Sequence, residues 1–202
     1  MSVNYTVQAD VVDINCDSPK PTDSFLVDTN VWFWLTYSKS SPEAYQSRSY
    51  PPYLQKVHKA KATLWRCELS FAELAHRIEK TEHDIYVAAN GKLGTKEFRH
   101  NLGKERAKVA AEFAAAWALV GVWAAPVTAN VNESMTKSSM ARFSSEKLDG
   151  YDLFMLEAIK SVGIIQVITD DGDYCSVPGI RVFTANHRVI QAAQSQNKLV
   201  IR

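Results

Sequence analysis

The chain has 202 residues, 46% of them hydrophobic and 22% charged, with 23 basic and 22 acidic side chains for a formal net charge of +1. That suits one domain with a full core and excludes a strong overall field, so any polyanionic partner has to meet a local patch. Three cysteines (Cys16, Cys67, Cys175) without a CxxC pair argue against a disulfide framework and a zinc site, no run approaches the roughly 18 apolar residues of a membrane span, and the start MSVNYTVQAD lacks the basic-then-apolar pattern of a signal peptide, so the expectation is a cytoplasmic protein.

In chain order, SFLVD reads as a buried strand and VWFWLTY as the helix after it, whereas SKSSPEAYQSRSYPPY, with prolines at 42, 51 and 52, reads as a loop or lid. PYLQKVHKAKA has helical spacing and TLWRCE strand character. At Ser70 an amphipathic helix begins, with Phe71, Leu74, Ala75 and Ile78 at helical steps. GKLGTKEFRHNLG breaks the pattern with three glycines and reads as a basic loop, and KERAKVAAEFAAAWALVG resumes it as a long helix. VWAAPV is a further strand, and 132–145 a polar helix or loop. The tail gives GYDLFMLEAIKSVG as helix, IIQVITD and RVFTA as strands, and NHRVIQAAQ as a closing helix. Alternating strands and helices predict an α/β fold whose mostly parallel sheet is covered on both faces.

The acids fall in a pattern. Asp28 ends the first strand, Glu73 and Asp152 sit in the first turns of two helices, and Asp170, Asp171 and Asp173 crowd the end of IIQVIT. In an open parallel sheet, strand ends and the following helix starts share one edge, where ligands bind. Two carboxylates about 4 Å apart repel by roughly 4 kcal/mol at an effective dielectric near 20, so a cluster calls for protons or a cation. Oxygen ligands without a His or Cys cluster select Mg²⁺ or Mn²⁺. Each acid also has a plain structural reading. Asp28 suits an N-cap, Glu73 stands three residues after Ser70 as in a capping box, Asp149 and Asp152 suit a cap and a first-turn acid, and TDDGD suits a polar turn. The tryptophans, among them Trp32, Trp34 and Trp117, suit packing, and the five histidines show no ligand spacing. There is no GxxxxGK[ST], GxGxxG or GxSxG motif.

Taken together, VDTN (27–30), SFAEL (70–74), YDLFMLEAIKSVG (151–163) and ITDDGDY (168–174) resemble, in order, the four signatures of PIN-domain ribonucleases. The resemblance implies a doubly wound three-layer α/β/α nuclease domain over 25–202, with a 1–24 extension and insertions around 37–62 and 84–108. It implies Mg²⁺ or Mn²⁺ as cofactor, RNA as substrate, and an antitoxin, another protein or a second copy of the chain as possible partner. Carried over, the catalytic acids are Asp28, Glu73, Asp152 and Asp171. The metal ligands are Asp28, Asp152 and Asp171, with Asp173 as an outer ligand and Asp170 as the substitute for Asp171 if the register slips by one. Asn30 and Thr169 support them. Lys92, Lys96, Arg99, Lys104 and Arg106 are the candidate RNA contacts. The reading from another class is a non-catalytic scaffold of the same fold that binds RNA or a protein.

Overall fold

The computed structural model describes residues 3–202. Six short strands, β1 (Asp10–Asp13), β2 (Ser24–Val27), β3 (Thr63–Cys67), β4 (Ala125–Val127), β5 (Gln166–Ile168) and β6 (Arg181–Thr184), form one sheet in the order β1-β6-β5-β2-β3-β4. Every pairing is parallel. The helices are α1 (Thr29–Thr36), α2 (Tyr45–Lys59), α3 (Ser70–Asn90), α4 (Thr95–Asn101), α5 (Gly103–Trp123), α6 (Glu133–Ser145), α7 (Gly150–Ser161) and α8 (His187–Ser195). The fold is a doubly wound α/β/α sandwich. From β2 the chain winds outward to β3 and β4, then crosses back to β5 and β6, so its direction reverses between β2 and β5. In folds of this kind, ligands bind beyond the strand C-termini at such a switch point.

The two-residue period of the strands decides which core each side chain enters. Phe25 and Val27 of β2, Ile168 of β5 and Phe183 of β6 face one core, shared with Trp32 of α1, Tyr53 and Leu54 of α2, and Leu74 and Ile78 of α3. Leu26, Val167 and Val182, one position away on the same strands, face the other, shared with Met155 and Ile159 of α7 and Val189 of α8. Burial on both faces explains why SFLV is apolar without alternation. Among the described residues, no helix is long and apolar enough to cross a membrane.

Five expectations need correction. The proline-containing segment is not a loop: α2 runs from Tyr45 to Lys59 with Pro51 and Pro52 inside it. Each proline removes a helical hydrogen bond, and the burial of Tyr50, Tyr53, Leu54 and Val57 offsets the loss. The basic segment is not a loop either, since α4 occupies its centre and α5 already begins at Gly103. Residues before Phe25 supply edge strand β1, paired to β6 from Asp10↔Arg181 to Asp13↔Thr184; the first two residues of that extension lie outside the described ones. Ser70 does not cap α3. Leu69 holds the cap position, and the Ser70 hydroxyl is turned inward to Met155 Sδ at 3.5 Å. Phe71, expected on the core face, is 48% exposed and packs edge-on against Phe113 and Trp117 of α5. Trp32 is fully buried, and Trp34 and Trp117 pack against the same core.

Candidate active site

Asp28 leaves β2 at the switch point and starts α1. Its Oδ1 accepts the Thr29 amide at 2.5 Å, as an N-cap does. Its Oδ2 accepts the Asn30 side-chain amide and the Thr169 hydroxyl, both at 2.6 Å. The Asp28 amide donates to Ile168 O at 3.0 Å, joining the ends of β2 and β5. Thr169 Oγ1 further accepts the Asp171 amide at 2.8 Å, and Asn30 Oδ1 accepts the Asp170 amide at 3.1 Å, so one Thr and one Asn tie the loop after β5 to the carboxylate after β2.

The two adjacent acids of this loop point apart. The Asp170 carboxylate turns to α2, where it accepts from the Tyr45 hydroxyl (2.8 Å), the Tyr50 hydroxyl (2.7 Å) and the Gln46 amide (3.1 Å). This engagement makes Asp170 the anchor of α2. Asp171 lies instead beside Asp28, Glu73 and Asp149, whose charges oppose its ionisation or it theirs. Asp173, at the start of a 3₁₀ turn over Asp173–Ser176, gives its amide to Asp171 Oδ1 at 2.8 Å and is raised by burial and then by the charges of Asp171 and Asp149.

Glu73 and Asp152 complete the group from opposite layers. Glu73 sits in the first turn of α3, and its Oε2 is buried with no hydrogen-bond partner, so it calls for a proton, a water or an ion. Its pKa is raised, by burial first, with the Thr29 hydroxyl and the Arg77 charge acting against the charges of Asp149 and Asp171. Asp152, 5% exposed, stands in the first turn of α7 and accepts from the buried Tyr174 hydroxyl at 2.7 Å. Burial and then the charge of Asp28 push it far up; burial and then the charge of Glu73 do the same to Asp28. Burial first, and then the charges of neighbouring acids, thus hold Asp28, Glu73, Asp152 and Asp171 toward the protonated form.

Three further participants are not among the expected site residues, although Asp149 is expected as a helix cap. Asp149 caps α7, accepting the Tyr151 and Asp152 amides at 3.1 and 3.3 Å, and also charges the cluster. Its position three residues before Asp152 was the available signal. Tyr174 closes the quoted ITDDGDY run. Arg77, one turn after Glu73 and 4.7 Å above the Phe33 ring, is the basic side chain that eases ionisation of Glu73 and Asp171.

The basic candidates divide. Arg99 donates to both oxygens of Glu79 at 2.7 and 2.8 Å, and Arg106 reaches Oε1 at 3.0 Å, so these two fasten α4 and α5 to α3. Lys92, Lys96 and Lys104 are exposed.

Among the described residues, no three acidic, histidine or cysteine side chains stand ready to ligate one ion together. The donor set nevertheless fits Mg²⁺ or Mn²⁺, because Mg²⁺ keeps several waters and takes only one or two carboxylates. Asp28 uses three of about four acceptor positions, and Glu73 Oε2 uses none. No protein-family model matches the chain. No curated protein matches it either.

Proposed function

We propose that the chain is a metal-dependent endoribonuclease of the PIN-domain type. The observation that carries this is that Asp28, Glu73, Asp152 and Asp171, from four separate elements, feel the charges of neighbouring acids, and that one of them, Glu73, has a buried carboxylate oxygen without a partner. Raised carboxyl pKa values in a crevice at a topological switch point are the mark of groups kept for a ligand and not for stability. One or two of Asp28, Asp152 and Asp171 would ligate Mg²⁺ or Mn²⁺ directly, and the remaining acids with Asp173 would act through its waters. The ion, when bound, neutralises the cluster and supplies an acidified water and Lewis-acid polarisation at a phosphate.

The chain's own residues do the rest. Asn30 and Thr169 fix the orientation of Asp28, and Tyr174 fixes that of Asp152, so that neither has to reorganise on substrate entry. Glu73 Oε2, with a raised pKa and a free lone pair, accepts the proton of the attacking water. The products are a 5′-phosphate and a 3′-hydroxyl. The lysines of α4 and its flanks would meet the RNA backbone. Within this reading, a toxin held by an antitoxin and an RNA-processing enzyme are the two roles the resemblance offers, in the cytoplasm. The test is incubation of the purified chain with single-stranded RNA in Mn²⁺ and in EDTA, beside an Asp152→Asn variant. Cleavage that needs Mn²⁺ and is lost in the variant supports the reading. Binding without cleavage under every metal condition would leave the scaffold reading in its place.

A further inference from the structure

The segment before β1 does not trail away from the molecule. It is clamped by Gln196, whose Oε1 accepts the Val7 amide and whose Nε2 donates to Tyr5 O, both at 2.9 Å. The amides of Gln8 and Ala9 donate to Cys175 O at 2.8 and 3.1 Å. This strap sets the Tyr5 ring on Gly172, the residue between Asp171 and Asp173: a Cβ at Gly172 would lie 2.3 Å from Tyr5 Cε1 and Cζ. The backbone of Gly172 is right-handed helical (φ −73°, ψ −16°), which any residue adopts. A side chain at Gly172 would therefore push the Tyr5 ring aside without straining the turn.

Tyr5 also lines a cleft of about 520 Å³ along α8, shared with Asn4, Arg188, Gln191, Ser195 and Gln196. Arg188 is exposed, and among the described residues its guanidinium has no hydrogen-bond or ion-pair partner. The charges of Asp171, Asp173 and Arg188 all reach the Tyr5 hydroxyl. An aromatic ring that packs on the acidic loop and an uncommitted guanidinium thus line one cleft, of the size that takes small ligands and with polar amide and hydroxyl walls. Single strands are held by this combination: a base on an aromatic face and a phosphate on a cation.

We propose that Tyr5 and Arg188 form a nucleotide subsite for single-stranded RNA, an unpaired base stacking on Tyr5 while the adjoining phosphate pairs with Arg188. The subsite rests on the ribonuclease reading above and narrows its substrate to strands with an accessible base. Duplex RNA, whose bases are stacked on one another, cannot offer that contact.

The experiment measures binding by fluorescence anisotropy in Mn²⁺, in an Asp152→Asn background that spares the RNA. The probes are a short oligoadenylate and the same backbone with abasic residues. The parent should prefer the intact strand by about tenfold. Tyr5→Leu should lose that preference and Tyr5→Phe keep it. Arg188→Gln should weaken both probes alike and reduce the salt slope by about 0.7. Tyr5→Leu that melts like the parent yet keeps the full base preference overturns the subsite. Arg188→Gln, at an exposed position, decides the matter if Tyr5→Leu does not fold: unchanged affinity for both probes overturns the proposal. Cleavage by the unsubstituted chain alongside either result leaves the ribonuclease reading standing, whereas a chain that neither cuts nor binds removes both.

Discussion

The Thr169 hydroxyl donates to Asp28 Oδ2 at 2.6 Å and accepts the Asp171 amide at 2.8 Å, so one buried side chain joins the acid after β2 to the acid after β5. Thr169→Val keeps the shape and removes both bonds, together with the one that Thr169 Oγ1 accepts from the Asn30 side-chain amide at 3.2 Å. It should destabilise the protein by about 2 kcal/mol, the usual cost of leaving buried polar partners unmade. Urea unfolding reads this directly. A midpoint equal to that of the parent would mean that the tether contributes nothing.

Glu73→Gln separates capping from chemistry. The Glu73 side chain reaches no cap amide, because Ser70 is already inside α3, and its Oε2 is unpartnered. Removing its charge should therefore stabilise the metal-free protein, by about 2–4 °C in Tm for each kcal/mol of repulsion relieved. RNA cleavage in Mn²⁺ should fall about 100-fold or more. Full cleavage in the variant would take Glu73 out of the site.

Arg202 supplies a pH prediction remote from the acidic crevice. It bridges Asp17 (2.7 Å) and Asp23 (2.8 Å) while lying 4.5 Å from the Phe183 ring. Burial alone would raise the Asp23 carboxyl, but the Arg202 hydrogen bond, the Lys20 amide and Gln166 outweigh it and lower the pKa from 3.8 to about 2. A depressed folded-state pKa means stability that is fully present above the ordinary value and lost as pH falls through the folded one. The contribution should vanish between about pH 4 and about pH 2. Arg202→Ala, which strands two buried carboxylates, should cost about 3–5 kcal/mol at pH 7 and progressively less in that acid window. Denaturant melts across pH 2–7 test it, and a penalty independent of pH would show that packing alone is lost.

The basic residues near α4 should separate into two kinds. Replacing Lys92, Lys96 and Lys104 with alanine should flatten the salt dependence of RNA binding by about 0.7 per lost contact at unchanged Tm. Arg99→Ala should lower Tm, because Glu79 loses its two-pronged partner, with no separate change in slope. An unaltered slope in the triple lysine variant would make this face an ordinary solvated one.

What the sequence by itself determined was local: strand and helix alternation, the apolar SFLV run, and the acids placed where strands end and helices begin. These follow from periodicity and from capping chemistry, which act over a few residues and are written in neighbouring letters. Tertiary structure decided the rest. Asp170 and Asp171 are adjacent and alike in the sequence. Only the arrival of Tyr45, Gln46 and Tyr50 on α2 makes one an anchor and leaves the other in the crevice. The helix that brings them contains Pro51 and Pro52, which local propensity reads as a break, and it forms because Tyr53, Leu54 and Val57 are buried against the sheet. Likewise Glu73 has capping-box spacing, yet the register of α3 places Ser70 one residue inside the helix and its hydroxyl on Met155. Tyr5 and Gly172 lie far apart in the chain, and their contact exists only because β1 pairs beside β6 and draws the preceding strap over the loop that follows β5. Hydrophobic burial is non-local and worth several kcal/mol per large side chain, so where it conflicts with the weaker preferences of a few neighbouring residues, the packed sheet sets the outcome.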